Sequence, residues 1–131
     1  MDIGITADGA APLVDLAFDS GVLDLLRAEV QVHARKAGMP EDRAGDVVLA
    51  VHELASNVIR HGLGGGRLRM WKLGGALRCR VDDGDPPGQA VTNALPEMPG
   101  HGLWVVRQVA DQMQILSGQR GTRATITFNL P

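Results

Sequence analysis

The sequence predicts a two-layer α/β sandwich, an α+β fold in which helices pack on a largely antiparallel sheet. Two segments in the first half have the hydrophobic period of a helix, and segments in the second half alternate polar and apolar residues as strands do. Regular alternation of strands and helices is absent, which argues against a doubly wound parallel sheet. The three observations together favour helices gathered on one sheet.

Composition limits the class of protein. The chain has 131 residues, 44% hydrophobic and 21% charged, as expected of a single domain over residues 1–131. The net charge of −2 does not indicate a nucleic-acid or anionic-membrane partner. No apolar run approaches the roughly 18–20 residues of a membrane span, so a cytoplasmic protein is expected. Cys79 is the only cysteine, which excludes an internal disulfide and predicts a small buried apolar residue.

The first half of the chain predicts a short strand followed by two helices. Pro12 to Phe18 is the strand candidate. The Asp19–Ser20 pair can cap the helix that follows, from Val22 to Lys36. A second helix is expected from Pro40 to His61, because proline and acidic residues favour the first turn of a helix.

The second half predicts a β-hairpin, a long loop, a helix and two further strands. Alternation on both sides of the Gly74-Gly75 pair predicts the hairpin. The stretch 82–100 is rich in proline and glycine and has no period; an unpatterned connection of this length is usually functional. The predicted bounds are 67–82 for the hairpin, 102–113 for the helix, 114–117 for a short strand and 122–130 for the last strand.

The second helix carries a polar stripe beside its apolar face. Glu53 and Asn57 are one turn apart, about 40° apart around the helix axis. A carboxylate and a carboxamide at the edge of a buried face suit a ligand cavity, where a few polar groups converge within an apolar lining. A solvated helix face with an ordinary i, i+4 pair explains the same pattern.

Three further motifs follow in order. Asp82-x-Gly84 ends a strand, where a carboxylate can accept a hydrogen bond from an amine and glycine allows a flat ring to approach. Gly100-His-Gly102 opens a helix, whose free backbone N–H groups attract phosphate oxygens. Gly121-Thr122 precedes the last strand. Each motif alone is also compatible with an ordinary turn or helix start.

The four motifs together resemble the N, G1, G2 and G3 boxes of the GHKL (Bergerat-fold) ATPases, which include gyrase, histidine kinases and the anti-sigma-factor serine kinases. The resemblance covers about Asp46 to Leu130. ELASNVIRHG (53–62) and GHGLWVVRQVAD (100–111) are most similar to the anti-sigma regulatory branch. This fold implies a mixed, mostly antiparallel sheet covered on one face by about three helices.

The resemblance implies a role for each motif residue. Asn57 would hold Mg²⁺, which bridges the ATP phosphates, and Glu53 would be the catalytic general base. Asp82 would bind the adenine amine, with Gly84 beneath the ring. The remaining nucleotide-binding residues would be those of the phosphate-binding turn and a residue supporting the adenine-side aspartate: Gly100, His101, Gly102 and Leu103 in the turn, and Thr122 on the last strand.

The resemblance also implies partners. The protein would be a bacterial ATP-binding regulator that sequesters a sigma factor and phosphorylates a serine or threonine on a STAS-type antagonist protein. Relatives typically form homodimers, and the N-terminal helix and first strand would provide the interface.

Two departures from the family pattern bear on activity. Pro86 stands where many relatives have the last glycine of the G1 box, and residues 85–99 contain no lysine or arginine. Phosphoryl transfer depends on charge stabilisation, so a lid without positive charge is expected to slow it. The alternative function is a module that binds nucleotide and switches partners without transferring phosphate. A scaffold that has lost nucleotide binding is disfavoured by the intact motifs.

Overall fold

A computed structural model describes residues 11–61, 65–84, 102–118 and 121–131. None of the helices within these ranges is long and apolar enough to cross a membrane. A short 3-10 turn, Ser20–Val22, follows the first strand. The helices are α1 (Leu23–Lys36), α2 (Glu41–His61) and α3 (Gly102–Val109), and the strands are β1 (Val14–Asp19), β2 (Gly65–Leu73), β3 (Ala76–Gly84), β4 (Gln112–Gly118) and β5 (Gly121–Asn129).

The five strands form one sheet in the order β1-β2-β3-β5-β4. Every neighbouring pair is antiparallel, so the sheet is more uniform than the mixed sheet that was expected. The predicted two-layer α+β sandwich is confirmed. Asp19 caps the 3-10 turn and not the predicted helix: its side chain accepts a hydrogen bond from the Gly21 backbone N–H at 2.8 Å, whereas the N-cap of α1 is Val22, which makes no side-chain cap hydrogen bond.

Two element boundaries differ from the prediction. β3 continues to Gly84, so Asp82 and Asp83 belong to a strand and not to a loop. α3 ends at Val109, four residues earlier than its apolar period suggested, and β4 is correspondingly longer. The reason is strand pairing: the Asp111 backbone N–H already donates to the Thr127 carbonyl at 2.9 Å, which draws the chain into the sheet.

Within the described residues, one face of the sheet packs on the helices and no helix packs on the other. On β3 the residues of the packed face are Leu77, Cys79 and Val81, all 1% exposed or less. They belong to a single core with α1 and α2. Side chains alternate between faces along a strand, so Arg78, Arg80 and Asp82 lie on the helix-free face.

Burial raises the pKa of the Cys79 thiol to about 12, which keeps it protonated and apolar, as predicted.

The Arg43 side chain connects three elements. Its guanidinium donates to Asp46 Oδ2 at 3.0 Å on α2, to the Val109 carbonyl at 2.9 Å at the end of α3, and to Asp111 Oδ2 at 3.0 Å before β4. The guanidinium also lies over the Phe128 ring of β5, 5.3 Å from its centroid. Arg43 therefore ties the start of α2 to the end of α3 and to the sheet.

Replacing Arg43 by methionine is expected to lower stability while leaving the fold unchanged. Methionine keeps the apolar stem but removes the hydrogen bonds to Val109 and Asp111. Because these groups are partly exposed, we expect a loss of about 1–2 kcal/mol, measured by urea unfolding. Lys36→Met is the matched control, since it removes one exposed positive charge on α1. Equal midpoints for the two variants would show that the Arg43 contacts contribute nothing.

Candidate functional site

Asn57 lies on the polar stripe of α2. Its side chain is 3% exposed. Its Oδ1 atom accepts a hydrogen bond from Arg60 Nη2 at 2.7 Å. Its Nδ2 atom is buried and has no hydrogen-bond partner in the part of the chain that the structure describes. Leaving a buried donor unpaired costs about 1–3 kcal/mol, which is expected where a residue awaits a ligand.

Asp82, predicted as the adenine-binding carboxylate, lies on the helix-free face of the sheet, opposite Arg123 of the neighbouring strand β5. Its side chain is 5% exposed and is surrounded by three arginines. The ion-pair distances are 2.7 Å to Arg123, 3.4 Å to Arg69 and 3.4 Å to Arg80. In the part of the chain that the structure describes, these arginines already offset the charge of Asp82.

Asp83 is on the opposite face, the face that packs on the helices. It follows Val81 by two positions, so both side chains project to the same side of the strand. Its Oδ1 atom is buried and has no hydrogen-bond partner among the described residues. On the neighbouring strand β5, Thr122 pairs with Asp83 and Gly121 pairs with Gly84. The residue predicted to support the adenine-side aspartate therefore neighbours Asp83.

Helix α2 passes over the end of β3. A Cβ atom placed on Gly66 of β2 would lie 2.2 Å from the Asp82 carbonyl oxygen and 3.1 Å from Val58 Cγ1. Val58 follows Asn57 in α2. Glycine at position 66 thus allows the helix and the strand to approach closely. This approach brings the Asn57 segment of α2 to the end of β3 that carries Asp83.

The remaining predicted residues are placed only in part. Gly102 is the first residue of α3, in agreement with the predicted helix that begins at this glycine. Leu103 packs against the core. Glu53 is partly buried on α2, one turn before Asn57. Gly100, His101 and the predicted lid, residues 85–99, lie outside the described residues.

The sequence interpretation missed Asp83, although a signal for it existed. Leu77, Cys79 and Val81 alternate with arginines, and continuing that alternation assigns Asp83 to the buried face. Because the strand was predicted to end near residue 82, Asp83 was assigned to a loop, where side chains do not alternate between two faces of a sheet.

The polar atoms of Asp83 and Asn57 define what this site can bind. A carboxylate oxygen accepts hydrogen bonds, so Asp83 can receive an amine. A carboxamide oxygen is a hard ligand of the kind that Mg²⁺ prefers, so Asn57 Oδ1, which also accepts the Arg60 hydrogen bond, can hold this ion together with ligand phosphates. Groups of three or more His, Cys, Asp or Glu side chains that could hold a metal ion alone are absent from the described ranges.

The two-layer sandwich carries a buried carboxamide on α2 and a carboxylate with one buried, unpaired oxygen at the described end of β3, as expected of a nucleotide-binding domain. The chain belongs to the histidine kinase-like ATPase domain family, whose model matches residues 17–128. Membership in this family implies ATP binding.

One solved structure shows the same fold. It is the crystal structure of the RsbU and RsbW domains of Rv1364c from Mycobacterium tuberculosis, with a TM-score of 0.67 and 23% sequence identity over 92% of this chain. This chain spans 33% of the length of that chain. No curated protein matches the sequence.

Proposed function

We propose that the protein is an ATP-binding regulator that acts as a serine/threonine protein kinase on a small STAS-type antagonist protein and sequesters a sigma factor. The observation that carries nucleotide binding is a pair of buried polar atoms, Asn57 Nδ2 and Asp83 Oδ1, that have no hydrogen-bond partner among the described residues. The regulatory role is supported by the anti-sigma-like motifs and by the fold shared with the RsbU and RsbW domain structure.

Adenine recognition is assigned to the end of β3. Asp83 accepts a hydrogen bond from the exocyclic amine, and Gly84 leaves room for the ring beside the backbone. Thr122, which pairs with Asp83 across the two strands, supplies a hydroxyl to a water next to this carboxylate. A buried carboxylate oxygen that has no partner among the described residues matches a donor that arrives with the ligand.

The phosphate side of the site is assigned to α2 and to the start of α3. Asn57 Oδ1 would hold Mg²⁺, which supplies charge neutralisation to the phosphates when bound. Glu53, one turn earlier, accepts the proton of the attacking hydroxyl. The glycine turn with Gly100, His101, Gly102 and Leu103 offers backbone N–H groups to phosphate oxygens.

The partner assignments follow the same similarity. A sigma factor and a STAS-type protein would bind a homodimer formed through α1 and β1. β1 is an edge strand of the sheet. An edge strand presents backbone N–H and C=O groups to an incoming chain, and this supports a role for β1 in association.

A second candidate function is a nucleotide-dependent switch that exchanges partners without transferring phosphate. The observation that favours it is the absence of lysine and arginine from residues 85–99. Positive charge near the transferred phosphoryl group is a principal source of catalysis in such reactions.

A transfer assay separates the two functions. The protein is incubated with Mg²⁺, ATP labelled at the γ-phosphate and a STAS-domain protein from the same genome, and label on the STAS protein is counted. Removing a general base typically costs about 10²–10⁴ in rate, so Glu53→Gln should transfer little label but keep its ATP-dependent thermal stabilisation. Glu41→Gln, at an exposed position at the start of α2, is the matched control and should transfer at the wild-type rate. ATP-dependent stabilisation of the wild type without any transfer would establish the switch.

A further inference from the structure

Trp104 is the most exposed large hydrophobic side chain in the part of the chain that the structure describes, at 63%. It lies in the first turn of α3, whereas Val106, two positions later, is fully buried. Single exposed apolar residues are common on protein surfaces, but tryptophan is enriched among the residues that dominate binding between proteins. The exposed indole therefore indicates a surface on which a partner can be anchored.

Leu49 of α2 extends this surface. Arg43, the third residue of α2, donates to the Val109 carbonyl at the end of α3. Because α3 packs on α2, a helix that ends beside Arg43 must run back alongside α2 in the antiparallel direction. At a rise of about 1.5 Å per residue, Trp104 is then within about one turn of Leu49 along the helix axes. Leu49 is 42% exposed, so two large apolar side chains project from neighbouring helices at one level.

Arg107 gives this surface a positive charge. It is exposed on α3, three positions after Trp104, so the two side chains are neighbours on one side of the helix. Its guanidinium forms no ion pair or hydrogen bond with another of the residues that the structure describes. Arginine, like tryptophan, is enriched at the centre of protein interfaces, where it can meet a carboxylate of the partner. We refer to Leu49, Trp104 and Arg107 as the α2–α3 patch.

The α2–α3 patch borders the elements that carry the proposed phosphate site. Leu49 lies one turn before Glu53 on α2, about 40° away around the helix axis. Trp104 follows Gly102, which opens α3, by two residues. A protein whose hydroxyl reaches the γ-phosphate must approach Glu53 from solvent, and it would cover the patch as it does so.

We propose that the α2–α3 patch is the docking surface for the STAS-type protein whose hydroxyl accepts the phosphoryl group. The partner presents apolar side chains to Leu49 and Trp104 and a carboxylate to Arg107. This docking role rests on the proposed function, because it assigns the surface that holds that substrate. A second copy of this chain fits less well, since an isologous contact centred on the patch would bring Arg107 of one copy toward Arg107 of the other.

Fluorine NMR tests the contact directly. The whole chain is labelled with 5-fluorotryptophan, which gives one signal for each of its two tryptophans. Trp104→Phe identifies the Trp104 signal, and Trp71, which is 2% exposed, provides an internal reference. We expect an unlabelled STAS-domain protein from the same genome, added with Mg²⁺ and a non-hydrolysable ATP analogue, to shift the Trp104 signal and leave the Trp71 signal in place. A Trp104 signal that instead depends on the concentration of this chain alone would identify a second copy as the occupant and overturn the proposal.

The affinity for the same STAS-domain protein provides a second measurement. Trp104→Gln and Leu49→Gln alter exposed side chains, so both variants should fold and keep the ATP-dependent thermal shift. We expect Trp104→Gln to weaken binding by about 30-fold or more, as truncation of a dominant interface residue does, and Leu49→Gln to weaken it less. Leu25→Gln on α1, where the side chain is 49% exposed, is the matched control and should bind as the wild type does. Equal affinities of Trp104→Gln and Leu25→Gln would contradict the docking role of the patch.

Docking and phosphoryl transfer can fail separately in these experiments. Transfer of label to the STAS-domain protein with an unchanged Trp104 signal would refute the docking surface alone. A shifted Trp104 signal without any transfer would refute the kinase function alone. Absence of binding by the wild type would overturn the docking role, while an ATP-dependent thermal shift of the same sample would still support nucleotide binding.

Discussion

Asp83→Asn is expected to weaken ATP binding by about 10- to 100-fold, because a hydrogen bond to a charged group contributes about 1.5–3 kcal/mol. The same substitution should leave the unfolding temperature unchanged or raise it. The Asp83 Oδ1 atom is buried without a partner among the described residues, so we expect this oxygen to add no stability to the free protein. Titration calorimetry gives the affinity and a thermal melt without nucleotide gives the stability.

A nucleotide control sharpens this prediction. GTP carries a carbonyl where ATP carries the exocyclic amine. The carbonyl oxygen, a hydrogen-bond acceptor, would face the Asp83 carboxylate, which is also an acceptor. Rejection of a ligand that leaves buried polar groups unpaired is typically severe, so GTP should not stabilise the wild-type protein. Equal stabilisation of wild type and Asp83→Asn by ATP would remove Asp83 from the adenine site.

The neighbouring substitution, Asp82→Asn, is expected to have the reverse effect. It leaves three arginines around a neutral side chain that is 5% exposed. Removing one partner of a buried ion pair costs about 3–5 kcal/mol, and the partial exposure of Arg69, Arg80 and Arg123 reduces this to about 2–3 kcal/mol. The unfolding temperature should fall by about 10 °C, while the ATP-dependent increase in that temperature should persist.

The two asparagine variants serve as controls for each other. They differ by one position and make the same chemical change, so global effects of lost negative charge cancel in the comparison. If Asp82→Asn lost the ATP-dependent shift while keeping the wild-type melting temperature, Asp82 would be the adenine ligand and the assignment to Asp83 would be wrong.

The fold was largely predictable because its patterns are local. Helical periodicity marked α1 and α2, and strict alternation marked β2, β3 and β5. The order of the motifs indicated the family before any geometry was known. Asn57 was identified for the same reason, since its position on a helix wheel follows from the residue number alone.

Which aspartate faces the helices was not predictable in the same way, because it depends on where a strand ends. Asp82 and Asp83 are residues of the same type, and the sequence alone does not show whether the strand ends before the first or the second of them. Pairing of β3 with β5 as far as Gly84 gives each residue a defined face. The arginines around Asp82 come from three strands, and this long-range arrangement has no local signature in the sequence.

The Gly74–Gly75 turn has a consequence for this site despite its distance from it. The turn fixes the register of β2 against β3, and Gly74 has a φ of 61°, in the left-handed region that favours glycine. A slip of one residue in that register would exchange the faces of β3. Asp83 would then enter the arginine cluster and Asp82 would face the helices. The length of a surface turn therefore decides which of two identical carboxylates is structural and which is available to a ligand.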